Sequence, residues 1–181
     1  MNEATEQRRR ILRATAVAAL TPWAGAHAAE PPAAVTAQAA PAADAPVAWP
    51  PVRLLDGTLW TPESWQGQAG VLVIWATWCP FCHRHNPNVE ALYRAVAGRP
   101  LRVLGASLDR DPELVRRHAA ERGYTFPMTM AGEALRTHFG LRRVTPTTVT
   151  FDRGGRLLQR IPGEMFAEDV LELARLAGTP A

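Results

Sequence analysis

Val71-Leu72-Val73-Ile74-Trp75-Ala76-Thr77-Trp78-Cys79-Pro80-Phe81-Cys82 joins a continuous apolar run to the only two cysteines of the 181-residue chain. Its first four residues are largely β-branched, which suits a central strand covered on both faces. A helical pattern then runs to about Val96, so Cys79 falls at a helix N-terminus. There the unpaired backbone N–H groups and the helix dipole favour a thiolate over a thiol. Cys79 is therefore expected to attack. Cys82, one turn further in, is expected to be shielded and to resolve the mixed disulfide. Pro80 fixes φ for the first helical residue and removes one N–H from those around the sulfur. An i, i+3 pair closes too small a loop to stabilise a fold much, which favours a reactive dithiol over a structural disulfide.

Downstream, Leu101–Ser107 reads as the next strand. Asp111-Pro112-Glu113 then supplies an N-cap, a first-turn proline and an acid at the positive end of a helix, with Leu114, Val115, His118 and Ala119 on one face. Phe126–Met130 reads as a strand and Gly132–Phe139 as a short helix. Thr147–Phe151 and Leu157–Ile161 flank Asp152-Arg153-Gly154-Gly155 as a terminal hairpin. A last helix is predicted to place Phe166, Val170, Leu173, Ala174 and Ala177 on one stripe. Upstream, Val52–Leu55 and Leu59–Thr61 flank Asp56-Gly57, a tight-turn dipeptide. Strands alternating with helices before a closing hairpin predict an α/β domain with a mixed sheet over residues 48–181. Trp60, Trp65 and Trp75 are expected to pack in it. Trp78, Pro80 and Phe81 are expected to form an apolar rim that removes water from the substrate encounter.

With these motifs in place, the sequence resembles the thioredoxin superfamily, specifically its exported TlpA/ResA-like branch. Trp-Ala-Thr-Trp-Cys-Pro-Phe-Cys after an apolar strand looks like that family's active-site segment, and Pro87 matches its helix-kinking proline. Val144-Thr145-Pro146-Thr147-Thr148 matches the segment holding its cis-proline. The long separation of Cys79 from Pro146 matches the central insertion of this branch. The resemblance covers about Val52 to Ala177 and implies a thioredoxin-like fold with an N-terminal hairpin. It also implies thiol:disulfide exchange with protein substrates, a Thr145-Pro146 turn that offers peptide groups to an extended substrate segment, and no bound cofactor. The implied direction is reduction, with cysteines that later receive haem c or copper as candidate substrates and a membrane thiol transporter as electron source; a disulfide-donating oxidase is the alternative. Where thioredoxins carry a buried acid, six residues before the first cysteine, this chain has Val73. Asp109 or Asp111 could replace it as proton relay, but Asp111 reads more simply as an N-cap and Asp109 as a loop residue.

The N-terminus reads as an address. Arg8, Arg9, Arg10 and Arg13 precede a weakly apolar stretch, and Ala26-His27-Ala28 has the small-x-small form of a cleavage site. Gln7-Arg8-Arg9-Arg10-Ile11-Leu12-Arg13 resembles a twin-arginine signal. Residues 1–28 are thus expected to be a signal peptide, cleaved or retained as an anchor, and the protein to be periplasmic. Residues 29–47, mostly alanine and proline, read as a flexible tether. All twenty basic residues are arginine. Losing residues 1–28 removes four arginines and two acids, so the formal charge falls from +3 to +1. That leaves no basic field for nucleic acid.

Two rival chemistries share the same residues. Cys79-Pro80-Phe81-Cys82-His83 fits the C-x-x-C-H pattern for covalent haem c, but that reading leaves the buried strand, Pro87 and Thr145-Pro146 unexplained. A copper or zinc carrier would use Cys79, Cys82, His83 and His85. His83 and His85 diverge on a helix at about 100° per residue, so a surface position for both is the simpler reading and no metal is expected. His118 and His138 read as helix-face residues, and His27 leaves with the signal.

Overall fold

The computed structural model describes residues 46–178. The expected signal peptide and all but the last two residues of the expected tether lie outside the described residues. Those two, Pro46 and Val47, belong to the fold. Pro46 bridges Arg156, and the Val47 N–H reaches the Gly155 carbonyl at 2.9 Å.

Seven strands and four α-helices follow in chain order: β1 (Val52–Arg53), β2 (Leu59–Trp60), β3 (Ala69–Trp75), α1 (Pro80–Ala95), β4 (Leu101–Ser107), α2 (Pro112–Arg122), β5 (Met128–Thr129), α3 (Gly132–His138), β6 (Thr147–Phe151), β7 (Leu157–Pro162) and α4 (Ala167–Glu172). A 3-10 helix, Leu173–Gly178, continues α4. β1 and β2 form a separate antiparallel hairpin, whose Asp56 side chain accepts the Thr58 N–H at 2.8 Å and whose Gly57 takes φ 88°. The main sheet has the order β5-β4-β3-β6-β7. β3, β4 and β5 run parallel, while β6 and β7 are antiparallel to their neighbours. This is the mixed sheet that the alternation of patterns predicts, in the thioredoxin-like arrangement that the resemblance implies.

All seven residues of β3 are buried, because helices cover both faces of the sheet. Side chains alternate along a strand. Val71, Val73 and Trp75 therefore pack with Val89 and Leu92 of α1, Val115 of α2 and Val170 of α4. Leu72 and Ile74 face the other way, onto Leu135 of α3, Phe139 and a tryptophan cluster. In that cluster Trp49 stacks on Trp65 with ring centroids 3.7 Å apart, and Trp60 meets Trp65 edge-on. A buried carboxylate ties α1 to the sheet edge: Glu90 accepts the N–H groups of Thr125 and Phe126, the Thr125 hydroxyl and the Arg94 guanidinium.

Two local expectations change. The strand expected over Phe126–Met130 narrows to Met128–Thr129, since Pro127 has no N–H to give to a ladder. Phe166 does not join the buried stripe of the last helix. It is the N-cap of α4, with extended backbone (φ −65°, ψ 156°), and the residue is 76% exposed.

Candidate active site

The parallel register pairs Trp75 with Ser107, so the loops after β3 and β4 emerge side by side at the C-terminal end of the parallel strands, where open α/β sheets place their sites. Helix α1 starts here. Cys79 is its N-cap, with Sγ accepting the Cys82 N–H at 3.3 Å, and Pro80 is the first helical residue. Both cysteines are free thiols, Cys79 3% exposed and Cys82 fully buried. Burial, helped by the hydrogen bond to Cys79 and by the charges of Cys79 and Asp109, pushes the Cys82 thiol far above its ordinary range.

The Thr145-Pro146 peptide is cis, and the Thr145 carbonyl lies 3.5 Å from Cys79 Sγ as acceptor of the thiol proton. Residues 66 positions apart in sequence thus meet at the reactive sulfur. Arg136 of α3 donates to the Thr145 hydroxyl at 3.2 Å, and the Gly163 N–H holds the Pro146 carbonyl at 2.8 Å. Trp78 and Phe81 stand open to solvent beside the dithiol, 67% and 52% exposed, and Pro80 is exposed between them. Pro87 lies inside α1 on an exposed side. Its missing N–H deprives the His83 carbonyl of the usual helical partner.

Asp109 is more than a loop residue. One carboxylate oxygen accepts the Thr77 hydroxyl at 2.7 Å; the other accepts the Thr77 N–H at 2.9 Å and the Ser107 hydroxyl at 2.7 Å. The carboxylate therefore clamps the loop that leads into Cys79. Val73 is buried in the apolar core, and Asp111 caps α2 by accepting the Glu113 N–H. The sequence offers Asp109 as a possible relay and reads it more simply as a loop residue, because its hold on Thr77 rests on the pairing of β3 with β4; the signal available was its place just past a strand parallel to the one before the cysteines.

The histidines also correct the sequence reading. His85 is fully buried, because this side of α1 packs on β6 and the segment after β7. Burial lowers its pKa and keeps the ring neutral. Its Nδ1 accepts the Met165 N–H at 3.3 Å, so the remaining proton is on Nε2, which donates to the Thr148 hydroxyl at 3.2 Å. His83 is half-buried and its Nε2 donates to the Thr77 carbonyl at 2.6 Å. Among the described residues, no group of three or more His, Cys, Asp or Glu side chains is placed to hold a metal ion.

A dithiol at the tip of a helix, facing a cis-proline turn on a thioredoxin-like sheet, defines a class: the thioredoxin-fold thiol-disulfide oxidoreductases. The Redoxin family model matches residues 37–175, and the chain belongs to that family, among its TlpA/ResA-like members. The thiol-disulfide oxidoreductase ResA of Geobacillus thermodenitrificans is 26% identical over 117 residues, covering 64% of this chain and 67% of that protein. ResA of Halalkalibacterium halodurans is 28% identical over 115 residues, covering 61% and 64%. The chain thus spans about two thirds of the length of these relatives. Among solved structures, a thioredoxin-family thiol:disulfide interchange protein from Chlorobium tepidum superposes with a TM-score of 0.67 at 23% identity, covering 73% of this chain and 94% of that one. A secreted thiol-disulfide isomerase from Corynebacterium glutamicum superposes at 0.64 and 21%, covering 71% and 83%. These likenesses report the fold. No helix among the described residues is long and apolar enough to cross a membrane.

Proposed function

We propose that this protein is a periplasmic reductase of protein disulfides, with Cys79 as nucleophile, Cys82 as resolving thiol and Thr145-Pro146 as the turn on which the substrate segment docks. The observation that carries the reading is the Cys79 sulfur at the tip of α1, 3.5 Å from the Thr145 carbonyl, with the buried Cys82 one turn behind it. A segment pairing with the Thr145 backbone presents its disulfide to that sulfur, and Trp78 and Phe81 keep water from the contact.

The exchange balances as follows. Cys79, as thiolate, attacks one substrate sulfur; the substrate S–S bond breaks, and the departing sulfur takes a proton. Cys82 loses its proton and attacks the Cys79 sulfur of the mixed disulfide. The second substrate thiol leaves, and the protein retains a Cys79–Cys82 disulfide. Two electrons have passed to the substrate, and a dithiol donor must restore them. In the cell that donor is a membrane thiol transporter; in an assay it is dithiothreitol.

Reduction is favoured by the surroundings of the sulfur. Cys79 Sγ accepts one backbone N–H, from Cys82, and Pro80 supplies none. A dithiol whose reduced form gains little from donors yields its electrons readily, whereas stabilisation of the reduced form makes a strong oxidant. The substrates that fit this role are exported cysteine pairs kept reduced for haem c or copper insertion. Export rests on the signal-like residues 1–28.

The test is insulin reduction with dithiothreitol, using protein recovered from the periplasm with its N-terminus at Ala29. The expected result is turnover that is lost in Cys79→Ser, and a reduction potential nearer the thioredoxin value of about −270 mV than the oxidase extreme of about −120 mV. Full activity in Cys79→Ser overturns the nucleophile assignment. A potential at the oxidising end overturns the direction, and a chain still beginning at Met1 overturns cleavage.

A further inference from the structure

Seven large apolar side chains among the described residues stand open to solvent; Trp78, Phe81 and Val144 adjoin the dithiol and its facing turn in sequence, and Phe166 lies on the segment after β7. Single exposed apolar residues are ordinary, but a group gathered around one site marks an interaction surface. Trp78 and Phe81 lie beside the cysteines, and Val144 precedes the Thr145-Pro146 turn. Phe166 lies on the chain that follows β7, which is tied to the turn and to α1: the Gly163 N–H holds the Pro146 carbonyl and the Met165 N–H is pinned by His85.

Between that segment and α1 lies a cleft of about 470 Å³, lined by Arg84, Asn88, Glu164, Met165, Phe166 and Ala167. Phe81, Arg84 and Asn88 are spaced i, i+3 and i+7, so they share one face of α1. The cleft therefore lies on the face of α1 that carries Phe81, beginning about one turn beyond it at Arg84. The Arg84 guanidinium sits 4.9 Å over the Phe81 ring and makes three hydrogen bonds of 2.6–3.1 Å to the Glu164 carboxylate. The two charges satisfy each other, which leaves no unpaired charge here to draw an ionic group. What remains unsatisfied is the apolar ring of Phe166.

We propose that this cleft is a specificity subsite for the protein substrate: it takes an apolar side chain, aromatic or large aliphatic, about three residues from the cysteine under attack. The spacing follows from the helix. From Cys79 to the Arg84–Asn88 wall is about 8–14 Å along the axis, which an extended segment covers in about two to four residues. The inference rests on the proposed docking of a substrate segment at Thr145-Pro146, which the cleft neighbours: Glu164 on its wall directly follows Gly163, whose N–H holds the Pro146 carbonyl. It adds a second point of recognition that sorts one cysteine-containing segment from another.

The experiment uses disulfide-linked peptides that carry either Phe or Ser at each position from one to five residues from the cysteine, with dithiothreitol as donor. Each rate is divided by that of the same variant with a small disulfide, glutathione disulfide. The mature protein is expected to prefer Phe over Ser about tenfold in kcat/KM near the third position. That preference is expected to fall to near unity in Phe166→Ser and to survive in part in Phe166→Leu. A flat response along the series, or a preference that Phe166→Ser leaves intact, overturns the subsite while leaving disulfide exchange standing. Failure of the mature protein with peptides and small disulfide alike strikes the exchange reading itself. Sedimentation supplies the remaining outcome: a dimer that Phe166→Ser converts to monomer makes a second copy of the chain the occupant, and overturns the subsite too.

Discussion

Asp109 holds Thr77 by two hydrogen bonds and Ser107 by a third, and its charge is one of the causes that raise the Cys82 thiol, after burial and the bond to Cys79. Hydrogen bonds to a charged group are worth about 1.5–3 kcal/mol each, so the carboxylate governs how the loop presents Cys79. Asp109→Asn is expected to slow insulin reduction roughly tenfold and, in a Cys79→Ser background, to speed alkylation of Cys82 by removing the charge that opposes its ionisation. Iodoacetamide kinetics read the second effect, and unchanged rates on both measures would remove Asp109 from the site. The sequence makes Cys79 and Cys82 legible because they sit three apart beside an apolar run, a purely local signal. Asp109 and Thr77 are 32 positions apart, and only the parallel register of β3 and β4 brings them together.

At the scale of elements, α3 begins where β4 ends. A Cβ on Gly132 would lie 2.2 Å from the Ser107 carbonyl oxygen and 2.6 Å from its carbon, so glycine is what lets the helix start against the backbone that carries the Asp109 loop. Gly132→Ala forces backbone to move and is expected to destabilise the protein by about 2–3 kcal/mol, lowering the melting temperature by on the order of 10 °C; a calorimetric scan decides. Apolar runs are legible as strands, and β4 falls on Leu101–Ser107 as expected. The last helix shows where periodicity misleads. Phe166 and Val170 are spaced i, i+4, but the helix begins at Ala167, and the extended N-cap turns Phe166 outward. A hydrophobic stripe gives the phase of a helix without marking its first residue.

Across the whole molecule, carboxylates couple the fold to pH. Burial raises Glu90, but donors from Thr125, Arg94 and Phe126 outweigh it and leave the group below its ordinary value; burial likewise raises Asp152, and Arg156 outweighs it. A carboxylate lowered by folding contributes stability above its unfolded pKa and loses that contribution as pH falls through the lowered native value. The melting temperature is therefore expected to decline below about pH 4.5. Glu90→Gln should lower it at pH 7 and flatten the acid slope; an equal slope in the variant would assign the effect to other groups.

The central claim divides labour between two sulfurs, and trapping tests it most directly. Each single cysteine variant is mixed with a disulfide-bearing protein, quenched with acid and mapped by mass spectrometry. Cys82→Ser is expected to accumulate a mixed disulfide through Cys79, while Cys79→Ser is expected to accumulate none. Adducts of equal yield at both positions, or at Cys82 alone, would contradict it.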